Sequence, residues 1–86
     1  MHFVYLLISD GKTKNTYVGY TNDISKRIVM HNQGKGAKYT RGRNWTLAYF
    51  EIFNSKTSAL KKEFVLKKNY KLRKKIKDNY LTTYDC

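Results

Sequence analysis

A chain of 86 residues with 18 Lys+Arg against 6 Asp+Glu has room for one small domain with a thin core, and its formal charge is +12. Apolar residues at 41% suffice for folding, which excludes disorder, and no run approaches the roughly 20 apolar residues of a membrane span. So positive a field favours polyanions, nucleic acid before an anionic membrane surface; a solubility coat has the same composition.

In chain order, Phe3 to Ile8 is a continuous apolar run suited to a buried strand. It is too short, and lacks the basic start, for a signal peptide. Asp10-Gly11 and Lys14-Asn15 bracket a hairpin-like loop, and residues 16–20 form a second strand antiparallel to the first. Thr21, Asn22 and Asp23 are competent N-caps for a helix over about 24–32. Residues 32–44, with Gly34, Gly36 and Gly42 among basic residues, read as a loop. Trp45 to Phe53 is a third strand, Asn54-Ser55 caps a helix over about 56–69, and a very basic helix follows over about 70–80. The order is β-β-α-β-α-α, a single domain over 1–86 without proline, repeat or low-complexity tract. A single cysteine, Cys86, excludes an internal disulfide framework and a cysteine-rich zinc site, and makes the cytoplasm the expected compartment.

Polar residues break the amphipathic pattern at informative places. Ile24, Arg27, Ile28 and His31 share one face of the first helix, the face expected on the sheet. Arg27 and His31 then either point inward or lie on the wet edge of a narrow stripe. Glu63 shares a side of its helix with Ala59, Leu60 and Leu66, while every other charge between 56 and 68 is lysine. Such a carboxylate needs an ion pair, with Arg27 or a lysine, or a metal. By strand alternation the Tyr5 and Tyr17 hydroxyls emerge over one side, with Gly19 as a gap through which a substrate backbone approaches Tyr17 and Arg27. Each tyrosine taken alone also fits ordinary strand packing. Together Tyr5, Tyr17, Arg27, His31 and Glu63 supply proton donors and acceptors, a phosphate fork and a hard metal ligand, an inventory for phosphodiester hydrolysis.

These residues resemble the GIY-YIG nuclease superfamily, and within it the small stand-alone YhbQ-like branch. Val4-Tyr5 and Tyr17-Val18-Gly19 stand where the family has its two name motifs; Arg27 and His31 follow as in the branch that includes Holliday-junction-type nucleases. "KGAKYTRGR" (35–43) and "SALKKEFVLKK" (58–68) look like that branch's loop and its glutamate helix, so the likeness covers about residues 3–70. It implies an α+β fold with a three-stranded antiparallel sheet flanked by helices, and one divalent cation, Mg²⁺ or Mn²⁺, on Glu63. It implies further that Arg27 grips the scissile phosphate and that Tyr17 or His31 deprotonates the attacking water with Tyr5 positioning it. Histidine, with a pKa of about 6.5 against about 10 for tyrosine, ranks at least equal as base. Three departures stand out: Phe3 replaces the first glycine, Tyr20 a lysine of some repair-incision relatives, and Lys75 an asparagine of others.

Lys35, Lys38, Arg41 and Arg43 alternate with Tyr39 in a loop suited to holding a backbone and stacking a base. Lys67, Lys68, Lys71 and Arg73 begin a second basic strip, which also reads as a solvated helix face. No base-reading helix is evident, so DNA recognition is expected through shape and salt-dependent contacts instead of sequence. Two functions are therefore expected from different classes. One is a metal-dependent endonuclease for structured or damaged DNA, in repair or recombination. The other is a nucleic-acid-binding module that is non-catalytic or licensed by a protein partner supplying targeting. Membrane attachment is disfavoured because no clear apolar face with Trp or Phe accompanies the 67–77 strip.

Overall fold

The computed structural model describes residues 1–84, which leaves Cys86 outside the described residues. The elements are β1 (His2–Ser9), β2 (Thr16–Thr21), α1 (Ile24–Asn32), a 3-10 turn (Lys38–Thr40), β3 (Trp45–Phe53), α2 (Lys56–Lys68) and α3 (Tyr70–Tyr84). The architecture is α+β, with the expected β-β-α-β-α-α order. The last helix runs to Tyr84, beyond the expected end near 80, and the 3-10 turn interrupts what reads as plain loop.

β1 is the centre of an antiparallel sheet ordered β2-β1-β3. Its aromatic and branched residues suit a strand packed on both faces, and alternation sends them to two different cores. Val4, Leu6 and Ile8 join Val18, Ala59 and Leu66 in an aliphatic core, with Leu72, Ile76 and Tyr80 of α3 packed around it. Tyr5 and Leu7 join Trp45, Tyr17, Ile24, Ile28 and Leu47 on the other face, under α1. A bulge opposite Leu6 and Leu7 leaves Ala48 out of the β1–β3 register, so that Ala48 and Tyr49 both turn to the aliphatic side. Trp45 and Leu47 stay on the α1 side.

Caps delimit the helices. Asp23 accepts from the Lys26 N–H and starts α1; Ser55 does the same for α2 through the Ser58 N–H. Asn69 ends α2 and its Oδ1 accepts from the Leu72 N–H at 3.0 Å, so one residue divides two helices. On α2, Ala59 and Leu66 are buried as expected, whereas Leu60 is 41% exposed and lies outside the core.

Candidate active site

Tyr5 projects from the middle of β1, directly opposite Gly19 on β2. Its ring lies across that glycine: a Cβ there would overlap Tyr5 Oη and Cζ. The gap read at Gly19 is real, but Tyr5 fills it, which corrects the expectation that a substrate backbone enters there. The glycine is needed so that the tyrosine can lie flat over β2 and reach α1.

Tyr5 Oη meets His31 Nε2 at 2.8 Å, and His31 Nδ1 meets Thr40 Oγ1 at 2.9 Å. The Thr40 hydroxyl donates its one proton to the Ala37 carbonyl at 2.9 Å. His31 Nδ1–H must therefore donate to Thr40, which leaves Nε2 as an acceptor and makes the Tyr5 hydroxyl the donor. That assignment is for the neutral imidazole, the form that the buried setting favours. Burial, and then the Arg27 charge, accordingly push the His31 pKa down from its ordinary value. Burial pushes the Tyr5 hydroxyl up to about 12 against the opposing pull of the Arg27 guanidinium. His31 is fully buried, so the wet-edge alternative for it is excluded.

The 35–43 loop builds the back of this site. Gly36 lies against the His31 ring, where a Cβ would collide with Nδ1, Cε1 and Cγ. Thr40 is fully buried, and its carbonyl accepts from Trp45 Nε1–H at 2.8 Å. Asn32 closes the loop: its Nδ2–H donates to Trp45 O and its Oδ1 accepts from the Trp45 N–H. Sequence reasoning missed Gly36, Thr40 and Asn32 as site residues. The first two lie inside the quoted "KGAKYTRGR" stretch, where the basic residues drew the reading outward.

Tyr17 packs its half-buried ring on His31 (centroids 4.9 Å apart) and stacks on Tyr39 at 6.1 Å and 23°. Arg43 lies over Tyr39 at 5.9 Å, and Lys35, Lys38, Arg41 and Arg43 are all exposed on the loop. Arg27 is half-buried, yet its Nε is buried and has no hydrogen-bond partner. A buried N–H left so is costly unless an anion completes it. Glu63 pairs with Lys67 at 3.2 Å, not with Arg27, and its side chain is 18% exposed. Its charge is nonetheless felt at Tyr5, raising the hydroxyl pKa slightly further. Among the described residues no group of three or more His, Cys, Asp or Glu gathers to hold a metal. A single carboxylate, with no such group of acidic, histidine or cysteine ligands around it among the described residues, fits a hard ion that keeps most of its waters and does not fit zinc. Lys67, Lys68 and Lys71 are exposed, with Lys68 over the Phe64 ring at 5.1 Å. Arg73 is occupied differently: Nη1 donates to the Leu66 carbonyl at 2.9 Å and to that of Lys67, capping α2. None of the described helices is long and apolar enough to cross a membrane.

The chain is similar to known proteins. The model of the GIY-YIG catalytic domain matches residues 1–77. A UPF0213 protein of Clostridium perfringens is 48% identical over 69 residues, 79% of this chain and 72% of the relative. Another, from Halobacterium salinarum, is 48% identical over 69 residues, 78% of this chain and 86% of that one. A third, from Bacillus velezensis, is 42% identical over 81 residues, 93% of this chain and 77% of its own. The solution NMR structure of a Bacillus halodurans UPF0213 protein is 41% identical, with a TM-score of 0.49 over 86% of this chain and 78% of the other.

Proposed function

The chain belongs to the GIY-YIG nuclease family, and on that premise we propose that it is a metal-dependent endonuclease hydrolysing phosphodiester bonds in structured or damaged DNA. One observation carries the reading: Arg27 Nε is buried without a partner beside a buried Tyr5–His31–Thr40 chain. A thin core gains nothing from such polar groups unless an anion and a proton are handled there.

In this mechanism Arg27 binds the scissile phosphate and stabilises the charge that builds on it. Glu63 would hold the divalent cation, Mg²⁺ or Mn²⁺, which supplies Lewis-acid polarisation of the phosphate. Both nitrogens of His31 are engaged, Nε2 by the Tyr5 hydroxyl and Nδ1 by Thr40, so it acts through Tyr5. As Tyr5 Oη takes the proton of the attacking water, its own proton passes to His31 Nε2. A concerted transfer avoids a free tyrosinate, which a pKa of about 12 makes costly. Burial, and then the Arg27 charge, hold the His31 pKa down; a phosphate beside Arg27 cancels the second of these and makes His31 a better acceptor. Tyr17 walls the site and orders the water. Lys35, Lys38, Tyr39, Arg41, Arg43, Lys67, Lys68 and Lys71 hold the DNA by shape, while Arg73 contributes through α2. A cytoplasmic location and a protein partner that supplies targeting belong to the same proposal.

A specific observation favours the second reading, a binding module activated by a partner: Glu63 is held by Lys67 and Tyr5 is 1% exposed. Nicking of supercoiled plasmid with Mg²⁺, Mn²⁺ or chelator separates the two. Glu63→Ala should reduce metal-dependent nicking by at least about 10²-fold while gel-shift affinity changes less than about twofold. Equal loss of both would remove Glu63 from the metal role; no nicking by the unaltered protein, with binding intact, selects the module.

A further inference from the structure

A groove of about 320 Å³ lies where the turn after β1, Tyr39 and the first turns of α3 meet, away from the Tyr5–His31 pair. Lys14, Tyr39, Tyr70, Arg73, Lys74 and Lys77 line it. Its volume is at the low end of small-ligand sites, room for one nucleotide and not for a duplex. The cations are not equivalent. Lys74 is matched by Asp78 at 2.8 Å, which neutralises the one carboxylate in the lining. Lys14 and Lys77, both half-buried, are in none of the ion pairs among the described residues. Two rings complete the groove. Tyr70 is 65% exposed, with Arg73 Cζ 5.8 Å from its centroid. Tyr39 is 53% exposed and stacks on Tyr17, whose ring packs on His31.

We propose that this groove binds one unpaired nucleotide of a nucleic-acid strand, its base stacked on Tyr70 against Tyr39 and its phosphate on Lys14 and Lys77. The proposal rests on the nucleic-acid reading above and names what that reading leaves open, the strand state of the substrate. An exposed phenol ring offers a base an open π-face, and that face is accessible only when the nucleotide is out of the helical stack. The Tyr39–Tyr17–His31 sequence of rings joins the groove to the reacting centre, so the unpaired nucleotide and the cut bond belong to one bound molecule.

The test is equilibrium binding of fluorescent (dT)12 and of a 12-base-pair duplex, the two ligands compared at the same low salt concentration and (dT)12 then followed across a salt series. Tyr70→Ala is expected to weaken (dT)12 on the order of tenfold and the duplex less than about twofold, with Tyr70→Phe restoring binding. Lys14→Ala and Lys77→Ala should each lower the (dT)12 salt slope by about 0.7. Thermal melting and circular dichroism of each variant show that the fold is kept. Equal effects on both ligands, or none, would overturn the groove. Failure of the unaltered protein to bind either ligand would overturn the nucleic-acid reading itself, and the groove with it. A 5-iodouracil strand cross-linked to Tyr70 or Tyr39 supports the site; cross-links confined to other residues count against it.

Discussion

The two faces of the sheet are built on opposite principles from one strand. Val4, Leu6 and Ile8 pack in a cluster of hydrophobic residues with α2 and α3, where volume and area decide the energy. Tyr5, one residue along, enters a face where rings, a histidine and a threonine are joined by directional bonds. The first face stabilises; the second holds polar groups at defined positions, and leaves one of them, Arg27 Nε, unmatched. A small domain thus divides its labour across a single layer of backbone.

That division is breakable by substitution. Tyr5→Phe should lower the nicking rate by about 10²–10⁴-fold, and cost only about 1–3 kcal/mol of stability through the orphaned Nε2. A rate near that of the unaltered protein would end the relay, and an equal loss in Tyr17→Phe alone would move the base to Tyr17. Leu66→Ala is the mirror experiment: stability should fall by about 2–5 kcal/mol, with the rate below the melting transition within about twofold. A large loss of turnover in the folded variant would show that the aliphatic face also sets site geometry. Gly19→Ala lies between the two. The new methyl overlaps Tyr5 Oη and Cζ, so denaturation should show a loss of about 1–3 kcal/mol together with slower nicking; unchanged turnover would mean that Tyr5 moves freely. Smallest is the pH response. His31 works neutral and its pKa lies below the ordinary histidine value of about 6.5. The acid limb of the rate profile should therefore fall below that value. Stability should decline as pH drops through about 6.5, because the unfolded chain then takes up a proton that folded His31 refuses. An acid limb above the ordinary value would contradict a buried neutral imidazole.

Local pattern carried much of this molecule. Six apolar residues in a row, a capped helix over 24–32 and a strand over 45–53 are set by periodicity and neighbouring caps, and they lie where expected. Arg27 and His31 drew notice because charge on an apolar stripe is visible in the residues alone. The relation between Gly19 and Tyr5 was not legible in the same way: it follows from the β1–β2 register, which pairs the two across strands. Nor does any local rule single out Gly36 and Thr40. Their roles exist only because the loop folds back over α1, bringing a bare backbone five residues on and a hydroxyl nine residues on to one imidazole.

Element order, net charge and the odd polar residues on apolar faces thus follow from the chain's own spacing, since each depends on neighbours within a few positions. Which tyrosine bonds His31, which tautomer results, that Arg27 Nε is left without a partner and that Tyr39 and Tyr70 line one groove depend on contacts between distant segments. Packing alone brings those segments together, because hydrogen bonds act over about 3 Å and neither spacing nor composition holds that distance.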